Sequence, residues 1–341
     1  MKLRILSIFF ISAFATFFAA IAFAENTDLA LPQKHSQKAQ NRGETAGLFK
    51  NQYGRTIFLE QMAGIRKSDR LGTDLPQGII AKDIARLLAP NENTDLALTV
   101  GVKAFPYRLN SYVAIACFAK NNSDQPCDKE SYHHDRDDMI YLGLIEYDYV
   151  GSKLKLVANP LKIETNWDFL ATEQFREKNI ISINDPAKWR RWTPKNSTSL
   201  PNGIYQEFDL AKFEVNDTQT AFGLRVGRHQ GYAGGIGYFE VLALFMIDND
   251  RIINILAEPI YFFQNIAGDW NEDHTRQNYL VEHENVLVML PSQTDGYYDL
   301  QIKAVDSDWE KTFSWDASLK HYLPKDRTAI LNRVIAKILN L

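Results

Sequence analysis

"VLALFMIDNDRIINILAEPIYFF", residues 241–263, decides the fold class. Two apolar runs rich in β-branched and aromatic residues flank Asp248-Asn249-Asp250. The pattern predicts a strand, an Asp-containing turn and a second strand, with Pro259 ending the pairing because it brings no N–H to a ladder. A second stretch, "YLGLIEYDYVGSKLKLVANPLKI" (141–163), can be laid on the first. Leu142 then matches Leu242, Leu144 matches Leu244, Asp148 matches Asp248, and Ala158-Asn159-Pro160 matches Ala257-Glu258-Pro259. Upstream, "LALTVG" (96–101) and "FGLRVG" (222–227) correspond in the same way. Internal similarity of this kind predicts a mainly β, repeat-built architecture, either two similar β lobes or a set of propeller-like blades.

Working outward, short runs such as "YVAIACF", "NVLVML", "YYDLQIKAV" and "KTFSWD" are separated by Asn, Asp, Gly and Pro clusters, the spacing of an all-β protein. Two helices are expected beside them. "QGIIAKDIARLLAP" places Ile80, Ile84, Leu87 and Leu88 on one face with Pro90 just past the end. "DRTAILNRVIAKILNL" offers Asp326 or Thr328 as a cap and an apolar stripe of Ile330, Leu331, Val334, Ile335, Ile338 and Leu339, which is expected to pack on the β body. The expected organisation is a signal peptide (1–24), a flexible leader (25–54), a first β region with a disulfide (55–200) and a second β region with the C-terminal helix (201–341).

The signal peptide is read from Lys2 and Arg4 ahead of an apolar run that closes in Ala22-Phe23-Ala24, a small-x-small cleavage pattern. After it, residues 25–54 are polar and offer little surface to offset the entropy of ordering. The chain has 38 basic and 42 acidic residues; without Lys2 and Arg4 the balance is 36 against 42, a charge of −6. An acidic exported chain is poorly suited to nucleic acid, which is gripped through Lys and Arg. Beyond the signal, no second long apolar run predicts a transmembrane segment. The two cysteines, Cys117 and Cys127, sit close together and predict a structural disulfide in an oxidising compartment, the periplasm.

Candidate chemistry is concentrated in a few stretches. "AGDWNEDHTRQN" (267–278) sets Asp269, Asn271 and Asp273 at alternate positions, so that one tight loop can aim three oxygens at a calcium ion. These residues resemble the loops of EF-hands and of integrin-type propeller repeats. They depart from them at the sixth position (His274 for Gly), the ninth (Gln277) and the twelfth (Leu280). A plain Asx-rich turn, with side chains bonded to local backbone, is the competing reading. "YHHDRDDM" gathers His133, His134, Asp135, Asp137 and Asp138, but adjacent residues rarely converge on one ion, and a solvated loop is expected. "HENVL", beginning at His283, lacks the second histidine of a zinc-protease helix and reads as strand. No Ser stands in a G-x-S-x-G elbow. Carboxylate pairs such as Asp306 with Asp308, or Glu258 with Asp269, can serve glycoside hydrolysis only if the fold brings them into reach.

Two stretches read as contact surfaces. "AKWRRWTPK" interleaves Trp189 and Trp192 with Arg190 and Arg191, a composition suited to stacking on sugars or gripping an acidic partner. "GRHQGYAGGIGY" (227–238) surrounds His229 and Tyr232 with five glycines and lacks the lysine of a phosphate-binding loop; a long recognition hairpin and a set of tight turns are both consistent with it. Together these features predict an exported, non-catalytic periplasmic binding protein, of the inhibitor or immunity type, that binds a cell-envelope-acting enzyme. The alternative is a carbohydrate-binding or carbohydrate-active protein that contacts cell-wall glycan and carries structural calcium.

Overall fold

The computed structural model describes residues 37–64, 69–120, 127, 139–166, 199–201, 203–232 and 235–325. The chain is mainly β, with two α-helices among these residues. A three-residue strand, β1 (Gln37–Ala39), and a 3-10 turn over Glu44–Leu48 lead into α1 (Gln52–Ala63), and α2 spans Ala81–Leu88. A first sheet then forms from β2 (Ala97–Ala104), β3 (Ser111–Phe118), β4 (Met139–Asp148), β5 (Lys153–Leu156), β6 (Leu161–Asn166) and β7 (Ser199–Pro201). It is antiparallel except for the β6–β7 pair, and β4 uses one edge for β3 and the other for β5 and β6 in turn. The second sheet is an antiparallel meander of β8 (Ile204–Asn216), β9 (Gln219–Tyr232), β10 (Gly235–Asp248), β11 (Arg251–Trp270), β12 (Arg276–Thr294), β13 (Tyr297–Ala304), β14 (Glu310–Asp316) and β15 (His321–Pro324). β1 joins it from the far end of the chain by pairing with β12.

The layers follow from side-chain alternation. On β10, Phe239, Val241, Ala243 and Phe245 face a core shared with Val113, Ile115 and Cys117 of β3 and Leu142 and Leu144 of β4. The alternate residues Tyr238, Leu242, Leu244 and Met246 pack with Ile57 and Phe58 of α1. On β3 the other face, Tyr112, Ala114, Ala116 and Phe118, packs with Ile84 and Leu88 of α2. The order is helix, sheet, sheet, helix. It explains why β3 and β10 read as continuous apolar runs: each is covered on both faces.

The hairpins predicted at 141–163 and 241–263 both form, with β4 ending at Asp148 and β10 at Asp248. They also touch, since Asn159 bridges to Arg251 and its side-chain amide donates to Asp250 at 2.9 Å. The prolines behave differently. Pro160 separates β5 from β6, whereas β11 runs on past Pro259 for eleven residues, its ladder to β10 shifting register between Glu240 and Val241. A bulge takes up the missing donor, so Pro259 does not end the strand. Among the described residues neither sheet closes on itself, so the propeller-like arrangement is absent there.

Of the leader expected to be flexible over 25–54, the described residues 37–54 are structured: β1 is paired, and Thr45 and Ala46 are buried. Polar composition hid this because the ordering is supplied by β12, more than two hundred residues away. α2 matches the predicted helix. α1 was not expected; Ile57 and Phe58 are buried but Leu59 and Met62 on the same helix are exposed, leaving no clean stripe to read. The C-terminal amphipathic stretch 328–339 lies outside the described residues.

Candidate functional site

The two stretches singled out as a Gly-rich hairpin and an acidic loop come together. β11 lies between β10 and β12, so the end of β9 at Tyr232 and the start of β10 at Gly235 fall at the same end of the second sheet as the β11–β12 turn. Gly235 pairs with Tyr232 on one side and Ile266 on the other, while Ala267 pairs with Asn278 and Trp270 with Arg276. The leader crosses beside them. β1 pairs Ala39 with Asn278, and the Gln40 carbonyl then accepts from the Asn271 amide at 2.7 Å. Asn41 and Glu44 fix the next turn reciprocally: Glu44 N donates to Asn41 Oδ1 at 3.2 Å and Gln40 N to Glu44 Oε2 at 3.1 Å, the logic of a capping box.

Between these segments lies a groove of about 640 Å³, lined among others by Arg42, Gly231, Gly235, Asn265, Arg276 and Asn278. Arg276 is held at its root, Nε donating to the Gly268 carbonyl at 2.7 Å, with its guanidinium 5.4 Å from the exposed Trp270 ring. Asn278 is tied to the Arg276 carbonyl at 2.8 Å. The groove wall is mostly apolar, with Ile236 and Ala267 in it, and the two guanidiniums and several side-chain amides set into it suit the carboxylate, carbonyl or hydroxyl groups of a ligand.

Within the acidic stretch, Asp269 and Asp273 are exposed at the β11–β12 hairpin. Asp273 Oδ1 accepts from the Thr275 amide at 3.0 Å and hydroxyl at 2.6 Å, and these bonds hold its carboxyl below the usual carboxylate range. Asn271 donates to Thr275 Oγ1 at 2.9 Å and accepts from Gln277 at 3.1 Å. His274 takes the left-handed conformation (φ 63°) that glycine would supply in a calcium loop. Among the described residues no group of three or more His, Cys, Asp or Glu converges.

The remaining predicted positions are dispersed. His229 lies on β9 with its ring 4.7 Å from Tyr238, opposite it on β10. Tyr232 closes the β9–β10 ladder against Gly235. Cys117 and Cys127 are disulfide-bonded with Cα atoms 6.1 Å apart. Trp189, Arg190, Arg191 and Trp192, and His133 to Asp138, lie outside the described residues. Glu258 is buried and paired with Lys311 at 3.0 Å, whereas Asp269 is eleven residues further along the same strand, roughly 36 Å away at strand rise; these carboxylates do not meet. His283 lies on β12, as a strand residue, and shares a hydrogen bond with Asp306 at 2.5 Å.

Sequence reasoning missed a buried polar cluster beneath α1. Glu240 is fully buried; the Tyr53 and Tyr238 hydroxyls both donate to it, and Arg225 reaches it at 3.1 Å. Arg225 also binds Asp209 at 2.7 Å and Glu207 at 3.4 Å. Arg70 links Glu60 of α1 at 3.0 Å to Glu207 at 3.8 Å, and both arginines stand over the Tyr53 ring. Burial raises the Tyr53 hydroxyl well above its ordinary value, and so does the Glu240 charge. Burial raises the Glu207 carboxyl, while it opposes charge on Arg225; there Glu240 and Asp209 more than offset it. The signal in the sequence was a charge inside an apolar run, Arg225 in "FGLRVG" and Glu240 in "YFEVLALF". Such residues, when buried, need partners.

No family model matches the sequence, and no curated protein matches it. Among solved structures, an "Ntf2 like protein involved in plasmid conjugation" aligns with 52% of this chain and 86% of its own at 12% identity, with a TM-score of 0.13.

Proposed function

We propose that the chain is an exported, non-catalytic periplasmic binding protein that recognises its partner, an envelope-acting enzyme, at the groove between the hairpin tips. The observation that carries this reading is the convergence of three separately anchored segments, the leader turn, the Gly-rich hairpin and the acidic hairpin, around Arg42 and Arg276. Each is fixed by its own backbone pairing or capping bonds, so little ordering cost remains for binding. The rooted Arg276 guanidinium, with that of Arg42 beside it, fits the carboxylates and main-chain carbonyls of a protein segment. Pull-down from periplasmic extract with the wild-type chain and with Arg42→Ala/Arg276→Ala tests it. A retained envelope enzyme that is lost with the double variant is expected; equal retention by both removes the groove from the reading.

A second reading is favoured by Trp270, 68% exposed beside Arg276 at the rim. An aromatic face next to amides and guanidiniums also suits a sugar ring, and this carbohydrate reading includes calcium at Asp269, Asn271 and Asp273. Trp270→Ala should then release the chain from purified cell wall, and calcium should raise the melting temperature in a manner lost with Asp273→Ala.

A further inference from the structure

We infer that the end of the first sheet formed by the β2–β3 loop and the β4–β5 turn is a membrane-surface site, inserting Leu109, Tyr149 and Val150 among the headgroups of an anionic bilayer. Leu109 is 86% exposed, Val150 98% and Tyr149 58%, although each belongs to a turn fixed from below. Tyr147 N donates to the Asn110 carbonyl at 2.9 Å, and the Tyr112 and Tyr149 hydroxyls share a hydrogen bond at 2.6 Å, so the two turns stand side by side. Gly78 lies against the Tyr147 hydroxyl and brings the start of α2 to the same end, where Ile80 is 57% exposed. Stable loops that still hold large apolar side chains in water mark an interaction site.

The shape and charge of this end select the occupant. The apolar groups sit on protruding turns, and four such side chains supply roughly half of the about 800 Å² that each partner contributes to a stable protein interface. Protruding residues can instead sink singly between lipid headgroups. Exposed Arg108, Lys153 and Lys155 surround the tips, against Glu146 and Asp148. Arg108 and Lys155 both reach Glu146, at 3.7 and 2.9 Å. The local balance is thus one positive charge in a chain of net charge −4, the sign that an anionic headgroup layer attracts. Tyrosines just below the tips suit the boundary between acyl chains and water.

The test is co-sedimentation of the full chain with vesicles of phosphatidylglycerol and phosphatidylethanolamine, alongside phosphatidylcholine vesicles. An environment-sensitive fluorophore is placed at Leu109→Cys or, as a control on the second sheet, at Ser318→Cys. Expected are a several-fold rise in emission at position 109, quenched by spin-labelled lipid, no change at 318, and an at least fivefold fall in bound fraction for Leu109→Ser/Val150→Ser. Preference for the anionic vesicles, weakened by 0.5 M salt, is part of the expectation. A silent label at 109, sedimentation unaffected by the double variant, or no sedimentation at all would overturn the inference. So would a change from dimer to monomer in the double variant by light scattering, since these residues would then meet a second copy.

Discussion

Glu240 shows what one charged residue does inside an apolar strand. With two tyrosine hydroxyls and Arg225 directed at it, its desolvation is compensated; its removal would leave the Tyr53 and Tyr238 hydroxyls buried without their acceptor, while Arg225 keeps Asp209 and Glu207. Glu240→Ala is expected to cost about 2–4 kcal/mol in urea unfolding, chiefly for those two hydroxyls. Asp299 shows how close partners set the titration of a buried carboxyl. Burial works to raise its carboxyl, but Lys325, Ser292 and Thr294 hold it below its ordinary value of 3.8. A carboxyl depressed in the folded state contributes stability that is complete above its unfolded value and fades as pH falls below it. Asp299→Asn should therefore destabilise the fold by about 1–2 kcal/mol at pH 7, and the gap between variant and wild type should narrow below about pH 3.8. At this scale the sequence was only partly readable. Asp273 and Asn271 were visible as turn formers, while the partners of Glu240 come from α1, β9 and β10 and share no local pattern.

The elements divide according to where their information lies. α2 and the β4–β5 and β10–β11 hairpins were legible because their periodicity and turn residues are local. α1 and β1 were not, because what orders them belongs to the second sheet. Asn51 caps α1 through Tyr53 N at 2.7 Å, and Glu282 of β12 accepts from Lys50 N at 2.8 Å and from the Tyr261 hydroxyl at 2.6 Å. Gly54 is the point of closest approach: a Cβ there would lie 1.5 Å from the Tyr261 hydroxyl. Alanine normally favours a helix over glycine by about 1 kcal/mol, but here the clash should prevail, with a net loss of about 1–3 kcal/mol. Hydrogen exchange of Gly54→Ala should show faster exchange across α1 with β10 amides still protected.

Over the whole molecule, the first sheet ends at Pro201 and the meander of the second begins at Ile204, yet Val241 and Leu144 lie in one core. The disulfide reinforces that joint, since Cys117 belongs to β3 and the Cys127 carbonyl accepts from Tyr205 N of β8 at 3.0 Å. Thermal unfolding should accordingly be a single transition by both near- and far-ultraviolet circular dichroism, and reduction should lower stability by about 2–3 kcal/mol without splitting it. Two separated transitions would show that the sheets unfold independently. Layering of this kind is invisible in one sequence, because a run buried on both faces looks the same whatever covers it.

The pairing of Gln37 with Leu280 also carries a timetable. A chain emerging from its N-terminus must release β1 and the segment leading to α1 long before their seat on β12 exists. Most of the second sheet can zip hairpin by hairpin, whereas the leader waits for nearly the whole polypeptide. The groove bordered by Arg42 and Arg276 is thus completed only after Asn278 has emerged, and an interrupted chain ending before β12 would lack it altogether.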